Sequence, residues 1–389
     1  MVDELDLVRT YEPLLRFSTD RHGWPENFFP VAAGLYVHRC GLRREHLGWV
    51  RPPNQALLSH LSRIAGPDEC YLSFAAGDMG DATLLKLMDY GLELARPLPP
   101  PAADGQPATL EAPEPEPLMP RILTHRPAAA GLEYDMDQVG ISVERSPVRS
   151  DEVEVLTTAA ATAHRRPPRA LEWAVPQGFS ALPQAVHQRA VEKYQPLRNW
   201  EQYPPVYYYR VSRDGPYRIL HYWFLYAYND WAAHGGSNDH EGDWEVVFVV
   251  LDREDRPQHV IASRHVRVPF LYEPLTLPWA EVERAGGTHP VIYVGCGSHA
   301  SYLRPGAHRV LVYDDYALGD DQSIGPGGDQ PWRRPYRLTG KRWNHRFSGR
   351  WGSLVKRWSL VVMPGTLGPT GPAHKRTKWS NPARWAGLL

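Results

Sequence analysis

Six segments rich in aromatic and β-branched residues follow one another from Tyr203 onward, and they restrict the possible folds more than any other feature. Turn-forming residues separate them, as in SRDG, HGGSND, DRED and ERAGG. The segments are PPVYYYRV, YRILHYWFLYAY, DWEVVFVVLD, HVIASRHVRV, HPVIYVGCG and HRVLVYDDY. Because the intervals between them show no helical period, the pattern favours strands joined by turns over a βαβ fold. We therefore expect a mainly β chain, with an antiparallel β-sandwich over residues 203–389.

The first 202 residues have a different character. Residues 1–97 are expected to form a segment that packs on the sandwich, with a helix near residues 81–95, where leucines recur at helical spacing. Residues 98–118 are rich in Pro, Ala and Glu, which indicates an exposed linker or insertion. Residues 119–202 form a mixed insertion in which only QAVHQRAVEKY has a helical pattern.

Charge and cysteine content bear on partners and compartment. The net charge of −1 creates no field that selects nucleic acid or membrane, so we expect no specific nucleic-acid partner. Three scattered cysteines, at positions 40, 70 and 296, suit a reducing compartment better than a disulfide framework. We find neither a signal-peptide pattern nor an apolar run of about 20 residues, and we expect a cytoplasmic chain without a transmembrane segment.

The segment NDHEGDWEVVFVVLD, residues 238–252, places a histidine and several carboxylates at the start of a strand of core character. Charged groups near a core are costly unless they are paired or bind a metal. In a strand, Asp243 and Glu245 lie on one face, and the preceding loop brings His240 close to them. Asp230, at the end of the previous strand, is the expected fourth member of the group. Glu241 belongs to the same motif.

One imidazole with two or three carboxylates suits a divalent cation such as Mg²⁺, Mn²⁺, Ca²⁺ or Zn²⁺. The alternative is a cluster of carboxylates paired with nearby arginines, which is common in proteins. Two more histidines, His265 and His299, end further predicted strands, and small residues surround His299 in GCGSHASY. A single histidine is more often structural, but several at strand ends strengthen the metal hypothesis.

The segments YRILHYWFLYAYND, HEGDWEVV, HPVIYVGCGSHASYLRPG and FSGRWGS…KWSNPARW resemble the vacuolar protein sorting-associated protein 62 family. Residues 11–46 resemble the opening segment of that family, so the resemblance covers residues 11–46 and 203–385. A more distant similarity is to necrosis- and ethylene-inducing peptide-like toxins, which share the Asp-Trp-Glu motif with a His three residues before the Asp. Those secreted toxins hold a divalent cation on a β-sandwich and bind sphingolipid headgroups. The similarity implies that Asp230, His240, Asp243 and Glu245 are metal ligands.

The sequence is compatible with three functions. The first is a metal-containing protein that binds a polar small molecule or a lipid or glycan headgroup. The second is a metal-dependent hydrolase in which Glu241 or His299 acts as general base on a metal-bound water. The third is a structural domain with a stabilising metal, and a closed coordination shell would distinguish it from a catalytic site.

The end of the chain is basic and rich in tryptophan. From Trp332 onward there are many Lys and Arg residues but no Asp or Glu. This composition suits a platform for phosphate, anionic lipid or single-stranded nucleic acid. It equally suits tryptophans that close the sandwich while cations stack on them, and we prefer this structural interpretation.

Overall fold

The computed structural model describes residues 3–21, 23–44, 48–50, 70–73, 191–192, 194, 198–231, 240–265, 272–310, 313–333, 335–338, 346–352 and 368–389. The predicted helix near residues 81–95, the linker at 98–118 and nearly all of the insertion at 119–202 lie outside these residues. Strands dominate the part of the chain that is described, and the expectation of a mainly β fold is confirmed.

The strands of the described residues are β1 (Leu14–Arg16), β2 (Gly41–Arg44), β3 (Gly48–Val50), β4 (Cys70–Ser73), β5 (Tyr207–Asp214), β6 (Tyr217–Asn229), β7 (His240–Leu251), β8 (Pro257–His265), β9 (Tyr272–Pro278), β10 (Arg284–Ala285), β11 (His289–Val294), β12 (Ser301–Tyr302), β13 (Gly306–Val310), β14 (Tyr313–Ala317), β15 (Ser323–Ile324) and β16 (Pro335–Arg337). The α-helices are α1 (Glu4–Thr10), α2 (Ala33–Arg39), α3 (Thr377–Ser380) and α4 (Pro382–Trp385). Single 3₁₀ turns cover Trp279–Glu281 and Pro372–His374.

The largest sheet has six strands in the order β16-β5-β6-β7-β8-β9. Its centre is formed by β6 and β7, whose long aromatic and β-branched sequences suit a buried pleated surface. A tight turn joins β5 to β6, and Gly215 adopts φ +57° there, as the turn sequence Asp-Gly predicts.

A second sheet has the order β10-β11-β1-β15, and β12 also pairs with β11. Its central strand, β1, comes from the N-terminal segment, whereas its neighbours come from residues 289–324. Two smaller sheets are the hairpin β13-β14 and the three strands β3-β2-β4.

Alternate residues of β7 enter two different hydrophobic cores. Val247, Val249 and Leu251 belong to a core that also contains Ile292 and Ile324 of the second sheet. The other face of β7 belongs to a core with residues of α2, β2 and β4 and with the C-terminal tryptophans; its β7 members are Trp244, Val246, Phe248 and Val250. The predicted alternation of these residues is confirmed.

The expected antiparallel arrangement needs correction at two places, because β1 pairs with β11 and β16 pairs with β5 in parallel. Both pairs join strands that are distant in sequence. A tight hairpin can join only antiparallel strands, whereas a long connection also allows parallel pairing. The run HRVLVYDDY also turns back on itself and forms β13 and β14. β9, with its two prolines, was not predicted, and it lies at the end of its sheet, where proline is tolerated.

The C-terminal tryptophans that the structure describes pack into the fold. Trp332 and Trp351 are buried, and Trp379 and Trp385 are partly buried against the core of α2. The Arg210 guanidinium lies 4.3 Å from the centre of the Trp379 ring. These contacts agree with the structural interpretation of this region, while Trp343 and Trp358 lie outside the described residues.

Candidate functional site

The candidate site lies where β6 ends and β7 begins. Asn229 pairs with His240 and Tyr226 pairs with Asp243 in the register of these strands. Asp230 follows directly after β6. The polar side chains here are almost completely excluded from solvent; they are Glu26, Asn229, Asp230, His240, Glu241, Asp243, Glu245, Ser298 and His299. A buried polar cluster of this size requires internal partners or a ligand.

Gly242 interrupts the regular pleat of β7. It adopts φ +64°, and a Cβ atom at this position would overlap the carbonyl oxygen of Trp351. That carbonyl also accepts a hydrogen bond of 2.5 Å from the Tyr36 hydroxyl. Glu241 directly precedes this glycine. Its side chain interacts electrostatically with Tyr36 and Tyr194, which belong to the hydrophobic core that contains α2. Glu241 and Asp243 therefore lie in different surroundings.

His299 lies in the loop after β11 and is held on three sides. Its Nδ1 atom is 3.1 Å from Asp243 Oδ2, and its Nε2 atom is 3.6 Å from Glu26 Oε1. The imidazole stacks on the Tyr226 ring, with 4.0 Å between the ring centres. His299 adopts φ +54°, which a residue other than glycine rarely does. Such strain is typical of sites where the surrounding structure dictates a side-chain position.

The loop that carries His299 is attached to Asp230 through Gly297. The Asp230 N–H donates to the Gly297 carbonyl at 3.0 Å. Gly297 adopts φ +71°, and a Cβ atom there would lie 2.7 Å from the Asp230 carbonyl oxygen. A glycine is therefore required for the loop to approach the end of β6 this closely.

Asp315 of β14 supports the same loop from the other side. Its carboxylate accepts hydrogen bonds from the Ser298 hydroxyl, at 2.8 Å, and from the Tyr302 hydroxyl, at 2.7 Å. Burial raises the pKa of Asp315 to about 6, although both hydroxyls favour its ionised form. Because the Ser298 hydroxyl donates to Asp315, it is committed to holding the loop.

Glu26 is one of the residues of this site that the sequence did not reveal. It belongs to the N-terminal segment, and its carboxylate accepts hydrogen bonds from the backbone N–H groups of Asn27, Phe28 and Gly297 at 2.7, 2.9 and 2.7 Å. The neighbouring Asn27 side chain donates to Asp230 Oδ2 at 3.1 Å. An isolated acid inside the aromatic segment GWPENFFP was the available signal.

Electrostatics make His299 and Asp243 an ion pair. Burial alone would lower the pKa of His299, but the Glu26 carboxylate and the contact with Asp243 raise it to about 10. Burial would likewise raise the pKa of Asp243, but the hydrogen bond with His299 and the nearby His240 lower it to about 2. In the imidazolium form both ring nitrogens carry a proton; Nδ1 donates to Asp243 Oδ2, while Nε2 faces Glu26 Oε1 at 3.6 Å as an ion pair without a hydrogen bond.

Glu245 lies among charges that act on it in opposite directions. Burial and the neighbouring Asp243 carboxylate raise the pKa of Glu245 to about 8, although Lys378 and Lys375 oppose the shift. Its Oε2 atom is buried and accepts no hydrogen bond from the described residues. A buried carboxylate oxygen in this state is costly unless a proton or a cation joins it.

His240 has the tautomer of a metal ligand. Its Nδ1 atom lies 2.8 Å from the Gly242 carbonyl, and because a carbonyl only accepts, Nδ1 carries the proton. The lone pair is therefore on Nε2, and burial lowers the pKa of the ring, which favours this neutral form. A histidine fixed by a carbonyl at one nitrogen is a common arrangement in metal sites.

The predicted site residues are brought together to different degrees. His240, Asp243 and Glu245 all lie on β7, where Asp243 interacts electrostatically with both of the others, and Asp230 directly follows β6, the neighbouring strand. His265 ends β8, the strand beside β7, where it pairs with Tyr272. Within the described residues, no three His, Cys, Asp or Glu side chains stand in a ready coordination arrangement. Their chemistry, one neutral imidazole with several carboxylates, nevertheless fits a divalent cation.

No family model, curated protein or solved structure matches this chain. Among the helices that the structure describes, none is both long and apolar enough to cross a bilayer.

Proposed function

We propose that the chain is a divalent-cation-binding β-sandwich protein whose cation is held by Asp243 and Glu245, together with His240 and Asp230. The observation that carries this proposal is the state of Glu245. Its carboxylate is buried beside Asp243, and one of its oxygens accepts no hydrogen bond from the described residues. A cation between the two carboxylates would keep both ionised and would satisfy that oxygen.

The sandwich part of the proposal is supported by the core that the two larger sheets share. Leu220 and Val249 of the six-stranded sheet belong to the same apolar cluster as Leu15 and Ile292 of the second sheet. Asp243 and Glu245 are on the same face of β7 as Val247 and Val249, which follow them. The proposed cation would therefore lie at the edge of this core.

The proposed ligand set contains one imidazole and three carboxylates, which suits Mg²⁺, Mn²⁺, Ca²⁺ or Zn²⁺. When bound, the cation would supply positive charge and Lewis acidity to a polar ligand. His265 would be an additional ligand from β8. The resemblance to headgroup-binding toxins favours a lipid or glycan headgroup, or a similar polar small molecule, as that ligand. We also propose a cytoplasmic location, since the three cysteines are buried free thiols.

Metal-dependent hydrolysis has less support. A general base must be able to take up a proton near neutral pH, whereas the Glu26 and Asp243 carboxylates raise the pKa of His299 to about 10, which favours its already protonated form. The other candidate, Glu241, interacts with Tyr36 and Tyr194 in the core of α2. A binding site or a structural metal is therefore the better hypothesis.

Direct titration with Mn²⁺, followed by electron paramagnetic resonance, tests the proposal. We expect the wild-type chain to bind about one equivalent, and Asp243→Asn to lose this binding. Asp214→Asn is the matched control, because Asp214 is a buried carboxylate at the far end of β5 that accepts hydrogen bonds from the N–H groups of Ala383 and Arg384. Failure of the wild-type chain to bind Mn²⁺, Mg²⁺, Ca²⁺ or Zn²⁺ would refute the proposal.

A further inference from the structure

We infer that Glu26 and Asn27 are positioning residues of the cation site, with Glu26 acting through His299 and Asn27 acting through Asp230. The inference rests on the proposed function for its metal-binding consequence. It assigns the N-terminal segment a role in the site beyond packing against the sheets.

The Glu26 carboxylate joins the N-terminal segment to the loop that carries His299. One oxygen, Oε1, accepts from the N–H groups of Asn27 and Phe28 and also lies 3.6 Å from His299 Nε2. The other oxygen, Oε2, accepts from the Gly297 N–H at 2.7 Å. If Glu26 served only to shape its own turn, the two local N–H groups would suffice. The contacts with Gly297 and His299 instead fix where the imidazole lies.

His299 in turn orients the Asp243 carboxylate. Its Nδ1 atom contacts Asp243 Oδ2 at 3.1 Å, and the same oxygen accepts from the Asn229 side chain at 3.2 Å. Two donors on one carboxylate oxygen determine the rotation of the carboxylate plane. The contacts run from Glu26 through His299 to Asp243. Residues that contact a metal ligand without touching the metal commonly set the orientation of that ligand in this way.

Asn27 acts in the same way on the second carboxylate. Its side-chain amide donates to Asp230 Oδ2 at 3.1 Å, and both side chains are buried. Residues 26 and 27 therefore reach two of the proposed ligands, one directly and one through an imidazole. Each ligand would be held in orientation before a cation binds.

Glu26→Gln tests the first contact, because it keeps the shape of the side chain and removes its charge. We expect Mn²⁺ affinity to fall about 10- to 100-fold, as for other outer-sphere partners of metal ligands. We also expect the side-chain ¹⁵N resonances of His299 to move in the metal-free protein, assigned by their loss in His299→Gln. Glu12→Gln is the control: Glu12 is a buried acid of the same segment that accepts from the Tyr207 hydroxyl at 2.7 Å, and its loss should alter neither readout.

Asn27→Leu tests the second contact independently, and it also keeps the inference testable if Glu26→Gln does not fold. We expect Mn²⁺ affinity to fall about 10-fold while the His299 resonances stay unchanged. Wild-type Mn²⁺ affinity in both variants, with unmoved His299 resonances in Glu26→Gln, would overturn the inference. If the wild-type chain binds no cation, the proposed function fails, and unmoved resonances in Glu26→Gln would then refute the Glu26 contact separately.

Discussion

The backbone carbonyl of Trp351 lies directly against Gly242, at the point where a side chain would otherwise project from β7. This contact joins the start of the central strand to the C-terminal part of the chain, and the Tyr36 hydroxyl completes it by donating to the same carbonyl. Neither neighbour can move away easily, because Tyr36 and Trp351 are both fully buried.

Gly242→Ala should therefore destabilise the protein strongly. A left-handed backbone costs an alanine about 1–2 kcal/mol, and over-packing adds about 1–3 kcal/mol. We expect a loss of about 2–5 kcal/mol in the free energy of unfolding, measured by urea denaturation. Gly287→Ala is the control, since Gly287 adopts φ +83° with no atom close to the added Cβ. This variant should show only the cost of the left-handed backbone and not the cost of over-packing. Equal losses in the two variants would contradict the overlap with Trp351.

Cation binding should stabilise the wild-type fold. At a cation concentration one hundred times the dissociation constant, the added free energy of unfolding is about 2.7 kcal/mol. We expect the melting temperature to rise with Mn²⁺ and to fall again with chelator. Asp243→Asn should respond to neither, while Asp214→Asn should respond like the wild type. A similar response of Asp243→Asn would mean that the cation binds elsewhere.

His221 should make stability depend on pH. The side chain is fully buried, with Nε2 2.7 Å from the Ser212 hydroxyl, and burial holds its pKa well below the ordinary value of 6.5. The unfolded chain binds a proton below about pH 6.5 that the native chain does not, so acidification removes stability at up to ~1.4 kcal/mol per pH unit. His221→Gln should lack this component between pH 6.5 and 5. Parallel stability curves for the two proteins would show that the native imidazole takes up the proton.

Tyr302→Phe should remove a charge-assisted hydrogen bond. The Tyr302 hydroxyl donates to the buried Asp315 carboxylate, and loss of such a bond costs about 1.5–3 kcal/mol. Because the pKa of Asp315 is raised to about 6, this carboxylate is ionised in the native state at pH 8 and protonated at pH 5. The effect of the substitution on unfolding free energy should therefore shrink on acidification through pH 6.

Tyr222→Phe provides the comparison, since the Tyr222 hydroxyl donates to the neutral carbonyl of Val8 at 2.9 Å. Its effect should be about 1 kcal/mol and the same at both pH values. A pH-independent effect of Tyr302→Phe would indicate that Asp315 does not change protonation in this range.

Local sequence pattern predicted the strands around the site because their periodicity is a property of neighbouring residues. The alternation of β7 follows from its own sequence, and it separates Trp244 and Val246 from Val247 and Val249 as expected. The pattern fails at Glu241. The positive φ of Gly242 interrupts the strand, so that Glu241 does not share a face with Asp243 as regular alternation would require. A glycine inside a strand is the signal for such a break.

Contacts between distant parts of the chain could not be predicted in this way. Glu26 and Gly297 are 271 positions apart, and their hydrogen bond has no periodic signature in either segment. The same is true of β1 and β11, whose parallel pairing depends on the path of the whole chain. The sequence therefore indicated the polar residues of β7, while the contacts that distant segments make with them emerged only from the tertiary structure.

The position of β1 between β11 and β15 has a consequence for biosynthesis. β1 is translated before both of its partners, which lie near residues 291 and 324. At about 5–20 residues per second, the ribosome needs roughly 15 to 60 s to make them. During that interval Leu15 has no partner strand within its own sheet, so we expect holding chaperones to bind the nascent chain until residues 291–324 have emerged.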